Sequence, residues 1–441
     1  MTDATDPLPS SSWHLSDIRE LAHLLTLALP AAVEITEAVH QAVLSGMGLK
    51  GRDEGKTAGI TGLVYKGVHG TANTLSSGIN QLLSSLPATP PPHQIPETPK
   101  RAALIATLNG MLGDKLVEHH NALATPMTLR YQGKPLDWQA MPKDLPREGR
   151  VLLMIHGLCM NDLQWQTEHQ GKPVNHGEQL ANALGYQPLY LRYNSGLPIA
   201  QNGQQLALLL EQLLAHWPGE LKEITIMGYS MGGLVARSAC HHAGVAGLTW
   251  PAHLANLIFL GTPHHGAPLE HAGHWLEQLL PATAYSEPFV RLARLRSAGI
   301  KDLRHGKVID EVAQPDPAVP LRDPRVPLPL PCSVNCYAIA ATTAAKRSLL
   351  ADRLIGDGLV PLRSALGQHN EARHQLAFLP AHTLIVYRTS HMALLANPQV
   401  GQQLLRWLSP CSYSELAIKA TECWFTQEPC GTLGRQREDP H

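Results

Sequence analysis

Residues 224–235 read ITIMGYSMGGLV, and this stretch decides the fold. Four strand-forming residues end at Gly228, and a helical pattern of apolar residues begins directly after Gly233. A strand that passes into a helix through glycines and a serine predicts a tight turn with Ser230 at its apex. The glycines leave room where a Cβ would clash, and the helix N-terminus faces any negative charge that develops beside the serine. The stretch predicts a nucleophilic serine; a glycine-rich turn without chemistry is the alternative.

The same alternation continues on either side of this turn. From residue 149 onward, short apolar runs alternate with helical patterns, which is typical of βαβ units and a parallel sheet. The predicted strands are residues 151–155, 189–193, 224–227, 257–260, 337–340 and 384–387. We therefore predict an α/β fold whose doubly wound, mostly parallel sheet occupies residues 149–410.

The remaining chain divides by composition. Residues 1–86 have helical patterns and form a predicted N-terminal helical region. Residues 87–148 contain a proline-rich linker, then a helix and a hairpin that lead into the sheet, and residues 411–441 form a polar C-terminal tail. An insertion at about residues 267–330, amphipathic at first and proline-rich afterwards, predicts a lid over a site.

One helical pattern of the N-terminal region, residues 57–83, carries a face of small residues. The glycines Gly59, Gly62, Gly67 and Gly70 align there with Val64 and Val68. Such a face allows another helix or a membrane surface to approach closely. We expect it to pack within the protein, and peripheral contact with a membrane is the alternative.

Composition narrows the classes of partner and compartment. The 441 residues carry a formal net charge of −1 with scattered Lys and Arg, so no basic stripe favours nucleic acid. The acidic start and the short, interrupted apolar run of residues 21–33 predict a cytoplasmic protein, with membrane association through the N-terminal helices as its variant. Seven cysteines without a dense framework predict reduced thiols, and no pattern indicates a metal or a cofactor.

A nucleophilic serine needs a base, because a hydroxyl is a poor nucleophile at neutral pH. His391, one of 24 histidines, comes directly after the last predicted strand, residues 384–387. Ligands of parallel sheets bind at the carboxyl ends of the strands. We therefore predict that His391 is the base.

The imidazole in turn needs a buried carboxylate that orients it and stabilises its cation. Asp357 fits, because Gly356 and Gly358 allow its carboxylate to turn inward after the strand at residues 337–340. Asp352, five residues earlier, is the alternative. The chain order of serine, aspartate and histidine is the one that this type of fold uses.

Two backbone amides are candidates for holding a developing oxyanion. Gly157 follows the first predicted strand of the sheet and lets the N–H of Leu158 point toward the site, with the N–H of Met231 as its partner. The donor is backbone, so His156 need not react. The adjacent His264 and His265 suggest a metal, but neighbouring side chains on a loop rarely converge on one ion, and we expect a rigid turn that leads into the lid.

Four segments taken together resemble bacterial lipases and esterases of the α/β-hydrolase superfamily. They are residues 156–158, 228–233, 261–266 and 356–358, and the resemblance covers about residues 149–410. The branch is similar to triacylglycerol lipases and to GPI inositol-deacylase-like (PGAP1-like) hydrolases. The resemblance implies that Ser230 is the nucleophile, Asp357 the acid and His391 the base, with Leu158 and Met231 as oxyanion donors.

The activity that this resemblance implies is hydrolysis of carboxylic esters through an acyl-enzyme. Its partner would be a small-molecule or lipid ester, and it needs no cofactor. A phospholipase or thioesterase with the same triad is the closest alternative, and a peptidase or acyltransferase shares the fold. A hydrolase-like scaffold that binds acyl ligands or a membrane without turnover belongs to a different class.

Overall fold

The computed structural model describes residues 56–85, 97–268, 297–310, 323, 325–345 and 356–409, and residues 17, 19, 20, 22, 37, 40 and 41. Most of the predicted lid, the C-terminal tail, much of the linker and the alternative acid Asp352 lie outside these residues. The α-helices are α1 (Gly59–Ser85), α2 (Pro99–Glu118), α3 (His176–Leu184), α4 (Ile199–His216), α5 (Met231–Ala246), α6 (Ala298–His305), α7 (Leu362–Ala365) and α8 (Pro398–Leu408). The strands are β1 (Thr128–Tyr131), β2 (Lys134–Pro135), β3 (Glu148–Ile155), β4 (Thr167–His169), β5 (Lys172–Val174), β6 (Gln187–Arg192), β7 (Glu220–Tyr229), β8 (Leu254–Leu260), β9 (Asn335–Thr342) and β10 (Thr383–Tyr387).

The main sheet has eight strands in the order β10-β9-β8-β7-β3-β6-β1-β2. The strands from β10 to β6 are parallel, and they are the six that the apolar runs predict. At the other edge β1 joins β6 antiparallel and β2 joins β1 antiparallel, so the sheet is mixed. The prediction of a mostly parallel sheet is confirmed.

Helices cover both faces of this sheet. The chain moves one way from β3 to β6 and then the other way from β6 to β7 and β8. Because crossovers between parallel strands are right-handed, this reversal places α3 on one face and α4 and α5 on the other. The helix contacts agree, since α3 packs against α8 and α4 packs against α5.

The centre of the sheet is inaccessible to water. Residues 151–155 of β3 are fully buried, as are Ile224, Ile226 and Met227 of β7. Strands covered on both faces need continuous apolar runs rather than alternation, which is why these segments are recognisable in the sequence. The sheet therefore forms a rigid base for the loops at its carboxyl edge.

Two hairpins have the same turn chemistry. The predicted hairpin is β1–β2, with Gln132 at φ +47° and Gly133 at φ +77°. A second hairpin, β4–β5, has Gln170 at φ +51° and Gly171 at φ +77°, and we did not predict it. A Gln-Gly pair followed by lysine stands at both turns, so the sequence contained the signal.

Helix α1 has an exposed apolar face. Leu63, Val64 and Val68 are 70 %, 58 % and 44 % exposed. A Cβ built at Gly62 would lie 2.4 Å from the Thr57 carbonyl oxygen, just before the helix. One built at Gly67 or Gly70 meets no atom within 4 Å, so these two glycines lack the expected close packing among the described residues. Among the described residues, none of the helices combines the length and the hydrophobicity that a membrane span requires.

Candidate active site

Ser230 lies between β7 and α5 in a backbone conformation that serine rarely adopts. Its φ and ψ are +52° and −122°. Serine at a helix N-terminus usually accepts a hydrogen bond from the first turn, but here the side chain makes no such bond. Its Oγ is buried and has no hydrogen-bond partner among the described residues. The strained backbone therefore holds the Ser230 hydroxyl at the apex of the turn, where none of the described residues forms a hydrogen bond with it.

Close backbone approaches explain the glycines on both sides of this serine. A Cβ at Gly232 would lie 2.4 Å from the Ile155 carbonyl oxygen, at the end of β3. A Cβ at Gly228 would lie 2.5 Å from Gly233 Cα. Both distances are far inside van der Waals contact, so neither position accepts a side chain without moving backbone.

Asp357 and His391 form a buried pair. Asp357 Oδ2 lies 2.6 Å from His391 Nδ1, and each side chain is 1 % exposed. Asp357 Oδ1 accepts hydrogen bonds from the amides of Leu359 at 3.0 Å and Val360 at 2.7 Å, which orient the carboxylate. The His391 amide also donates to the Asp357 carbonyl oxygen at 3.0 Å. One carboxylate oxygen is thus held by backbone while the other faces the imidazole.

The end of β8 brings Ser230 and His391 into one neighbourhood. The Ser230 amide donates to the Leu260 carbonyl oxygen at 2.8 Å. A Cβ at the next residue, Gly261, would lie 3.1 Å from His391 Cε1. Tyr229 makes a second connection, since its ring centroid lies 4.9 Å from that of His391 and its hydroxyl donates to the His391 carbonyl oxygen at 3.1 Å. We did not single out Tyr229 from the sequence, although its place directly before the serine was a signal.

The predicted oxyanion segment also lies against Ser230. A Cβ at Gly157 would be 3.1 Å from Ser230 Cβ. The amides of Leu158 and Met231 donate no hydrogen bond among the described residues. Both are buried, and buried amides without partners are costly unless a ligand satisfies them.

His156 has a structural environment. Its ring stacks on Tyr193 with the centroids 4.4 Å apart, and its Nε2 accepts a hydrogen bond from the Tyr193 amide at 3.4 Å. Burial lowers the pKa of His156 to about 3, so the ring is neutral at physiological pH. This matches the expectation that His156 need not react.

His264 and His265 lie in a tight turn after β8. The Gly266 amide donates to the Pro263 carbonyl oxygen at 3.0 Å, and Gly266 has φ +87°. His264 is buried against Phe259 and accepts a hydrogen bond from Arg237 of α5. Within the described residues, no group of three or more His, Cys, Asp or Glu side chains is arranged to hold a metal ion.

Arg237 is a buried charge that the sequence analysis did not select. It lies two turns into α5 and is 6 % exposed. The available signal was its neighbours, since Ala236, Ser238 and Ala239 are small residues typical of a buried helix face. A charged residue in such a setting calls for a partner or a ligand.

Comparisons with known proteins identify lipases and esterases of low similarity. Residues 118–294 match a family described as a domain of unknown function (DUF7379). No curated protein matches the chain. The mature lipase BlEst2 of Bacillus licheniformis is 16 % identical over 64 % of this chain and 98 % of that one, with a TM-score of 0.40.

Two further solved structures are similar at the same level. The Pyrobaculum calidifontis esterase is 12 % identical over 76 % of this chain and 97 % of that one, with a TM-score of 0.34. The Staphylococcus hyicus lipase is 12 % identical over 65 % of this chain and 100 % of that one, with a TM-score of 0.31. Similarities this distant do not identify a substrate. The eight-stranded, mostly parallel sheet with helices on both faces fits the α/β-hydrolase fold on its own geometry.

Proposed function

We propose that the chain is a serine hydrolase that cleaves carboxylic esters through an acyl-enzyme on Ser230. The observation that carries this proposal is Ser230 at the β7–α5 turn, which has a strained backbone and an Oγ without a hydrogen-bond partner among the described residues, beside a buried Asp357–His391 pair. A positive φ at a buried serine costs free energy, and such strain is concentrated at functional sites.

The first half of the reaction forms the acyl-enzyme. Ser230 Oγ attacks the ester carbonyl carbon while His391 Nε2 takes the hydroxyl proton. Asp357 stabilises the resulting imidazolium through Nδ1. The negative charge on the former carbonyl oxygen rests on the N–H groups of Leu158 and Met231, at the N-terminus of α5. The tetrahedral intermediate then expels the alcohol, which takes its proton from His391.

The second half regenerates the enzyme. Water attacks the acyl carbon and gives a proton to His391 Nε2, and the collapsing intermediate returns that proton to Ser230 as the acid leaves. No step requires a cofactor. The same residues serve a phospholipase or a thioesterase, which differ in the pocket alone.

The substrate class follows from the resemblance described above and from the predicted lid. A lid over the site favours medium or long acyl chains, and the resemblance to triacylglycerol lipases and GPI inositol-deacylase-like hydrolases favours lipid esters. Ester hydrolysis itself does not depend on the lid or on the acyl class of the substrate, so it can be tested first.

The test is hydrolysis of p-nitrophenyl esters from acetyl to palmitoyl by the wild type and Ser230→Ala. We expect kcat to fall by roughly 10⁶ in the variant if the triad acts as a unit. The chain-length optimum would define the acyl class. No hydrolysis combined with labelling of Ser230 by a fluorophosphonate would point to peptidase or acyltransferase chemistry, and no labelling would favour a non-catalytic scaffold.

Two aspartate variants test the acid independently. Asp357→Asn should lower kcat by roughly 10⁴, because the amide stabilises the wrong imidazole tautomer. Asp352→Asn is the matched control and should retain activity. The opposite pattern would move the role of the acid to Asp352.

A further inference from the structure

A cavity of about 730 Å³ lies beside the candidate active site without including it. Its walls come from α6, from the segment around Arg325 and from residues 369–374, together with Arg237 and the His264–His265 turn. Neither Ser230 nor His391 lines it. The ester hydrolysis proposed above leaves this cavity unexplained.

Arg237 is the unusual group in this cavity. One guanidinium nitrogen lies 3.4 Å from His264 Nδ1, and another donates to the Leu328 carbonyl oxygen. The Nε is buried and has no partner among the described residues, and no carboxylate pairs with this guanidinium there. Its contacts are therefore with neutral acceptors, which do not compensate its charge. A buried charge without a counter-charge is strongly unfavourable in the absence of a ligand.

Arg237 stays charged at physiological pH. Burial, together with the nearby positive charge of Arg325, lowers its pKa to about 10. Arg325 does not share this deficit, because Asp323 pairs with it. The uncompensated charge is therefore that of Arg237.

Two histidines add neutral donors to the same cavity. His264 Nδ1 faces a guanidinium N–H and must act as the acceptor, so its proton is on Nε2. That Nε2 is buried without a partner among the described residues, and so is His374 Nε2. Burial lowers the pKa of both rings, which keeps them neutral.

The lining of the cavity as a whole carries a net positive charge. Five cationic side chains and three carboxylates line the cavity. Lys307 pairs with Asp310 and Glu371 pairs with Arg373, and setting both pairs aside leaves the same excess of two positive charges. A phosphate group, with a charge of about −1.5 to −2 at pH 7, complements this excess better than a single carboxylate does.

We propose that the cavity binds a phosphate-type oxyanion through the Arg237 guanidinium, the Nε2–H of His264 and the unpartnered Nε2 of His374, which donates in the tautomer that is protonated there. The planar guanidinium offers parallel N–H groups that match phosphate oxygens. Arg237 is about 10 Å along α5 from Ser230, given the rise per residue of a helix. The anion is thus either a free phosphate or the phosphate group of an ester whose acyl bond lies at Ser230.

The test is isothermal titration calorimetry of the full chain with inorganic phosphate, at ionic strength held constant with sodium chloride. We expect saturable binding in the wild type and in Ser230→Ala, so this result does not depend on ester hydrolysis. Arg237→Met should weaken phosphate binding by roughly 10- to 100-fold, because it removes a charged donor. Lys222→Gln, which removes an exposed cation that does not line the cavity, is the matched control and should change the affinity by less than about threefold.

A second variant keeps the test decisive if Arg237→Met fails to fold, as judged by circular dichroism. His374→Phe removes one neutral donor and should weaken binding by roughly two- to tenfold. The proposal is overturned if the wild type shows no binding beyond the chloride control, or if His374→Phe and a folded Arg237→Met bind as the wild type does.

Kinetics then separate the two sources of phosphate. If the phosphate belongs to the substrate, an acyl ester of glycerol 3-phosphate should have a lower KM than the same ester of glycerol, and Arg237→Met should abolish the difference. Equal KM values alongside intact phosphate binding would assign the cavity to free phosphate. Either result is consistent with the oxyanion site.

Discussion

Two groups of polar side chains with little exposure lie at different places along the sheet: Arg130 and Arg192 near its antiparallel edge, and Arg237 with its neighbour His264 beyond β8. Near the antiparallel edge, Arg130 and Arg192 both contact Asp162, with Arg130 Nε 3.0 Å from Asp162 Oδ2. Both arginines also contact Glu97. Beyond β8, Arg237 has no carboxylate partner among the described residues. The first group has a carboxylate for every guanidinium, and the second does not.

This difference separates structural charges from charges that are available to a ligand. A buried ion pair with good geometry roughly balances its desolvation cost and can be kept for structure. A buried guanidinium without a carboxylate partner has no ion-pair attraction to offset its desolvation cost. Ser230 Oγ, Arg237 Nε and His264 Nε2 are buried and have no hydrogen-bond partners among the described residues.

The largest change in stability is expected when the Asp162 carboxylate of the first group is lost. Asp162→Asn should lower the free energy of unfolding by about 3–5 kcal/mol, because it leaves two largely buried guanidinium groups to one remaining carboxylate. Urea unfolding followed by circular dichroism measures this change. Glu148→Gln removes the exposed Glu148–Lys222 pair and should leave the unfolding midpoint unchanged. Equal effects of the two variants would mean that the Asp162 pairs stabilise the fold no more than an exposed surface pair does.

A smaller effect is expected from His264 in the second group, which should make the stability of the fold depend on pH. Burial holds the pKa of His264 well below its usual value, so the unfolded chain binds a proton below about pH 6.5 that the folded chain does not. Stability should therefore fall as pH drops below 6.5. At pH 5 the contribution of this one residue is a loss of about 2 kcal/mol.

The measurement is the free energy of unfolding between pH 7 and pH 5 for the wild type and His264→Gln, without phosphate. The glutamine cannot titrate, so its slope against pH should be smaller by about one proton, whatever its absolute stability. Parallel slopes would show that His264 is accessible to protons in the folded state. The first group contains no histidine, so Asp162→Asn should leave this slope unchanged.

The smallest change in stability is expected when Arg237 itself is replaced. Arg237→Met should change the free energy of unfolding by less than about 1 kcal/mol, or even raise it, because it replaces an uncompensated charge with an apolar chain of similar length. The same urea unfolding assay in phosphate-free buffer measures it. A loss of several kcal/mol would instead place Arg237 with the structural charges of the first group.

The sequence predicted most of the framework that carries the site. The six parallel strands are continuous apolar runs because both faces of the sheet are covered, and that signal is local. Ser230, Asp357 and His391 were selected because each follows a predicted strand or lies between glycines. Their catalytic roles are still proposals, but the segments containing all three are adjacent in the structure.

The sequence by itself thus determined the strands, the serine turn and the identity of the candidate triad, because these depend on short-range periodicity and on the conformations that glycine permits. Only the tertiary structure decided the antiparallel edge, the exposure of the α1 glycines and the isolation of Arg237. Each of these depends on which distant segments meet across the sheet. Arg237 is the clearest case: a helical pattern can show that an arginine is buried, but the lack of a carboxylate partner among the described residues is a property of the assembled segments around the cavity.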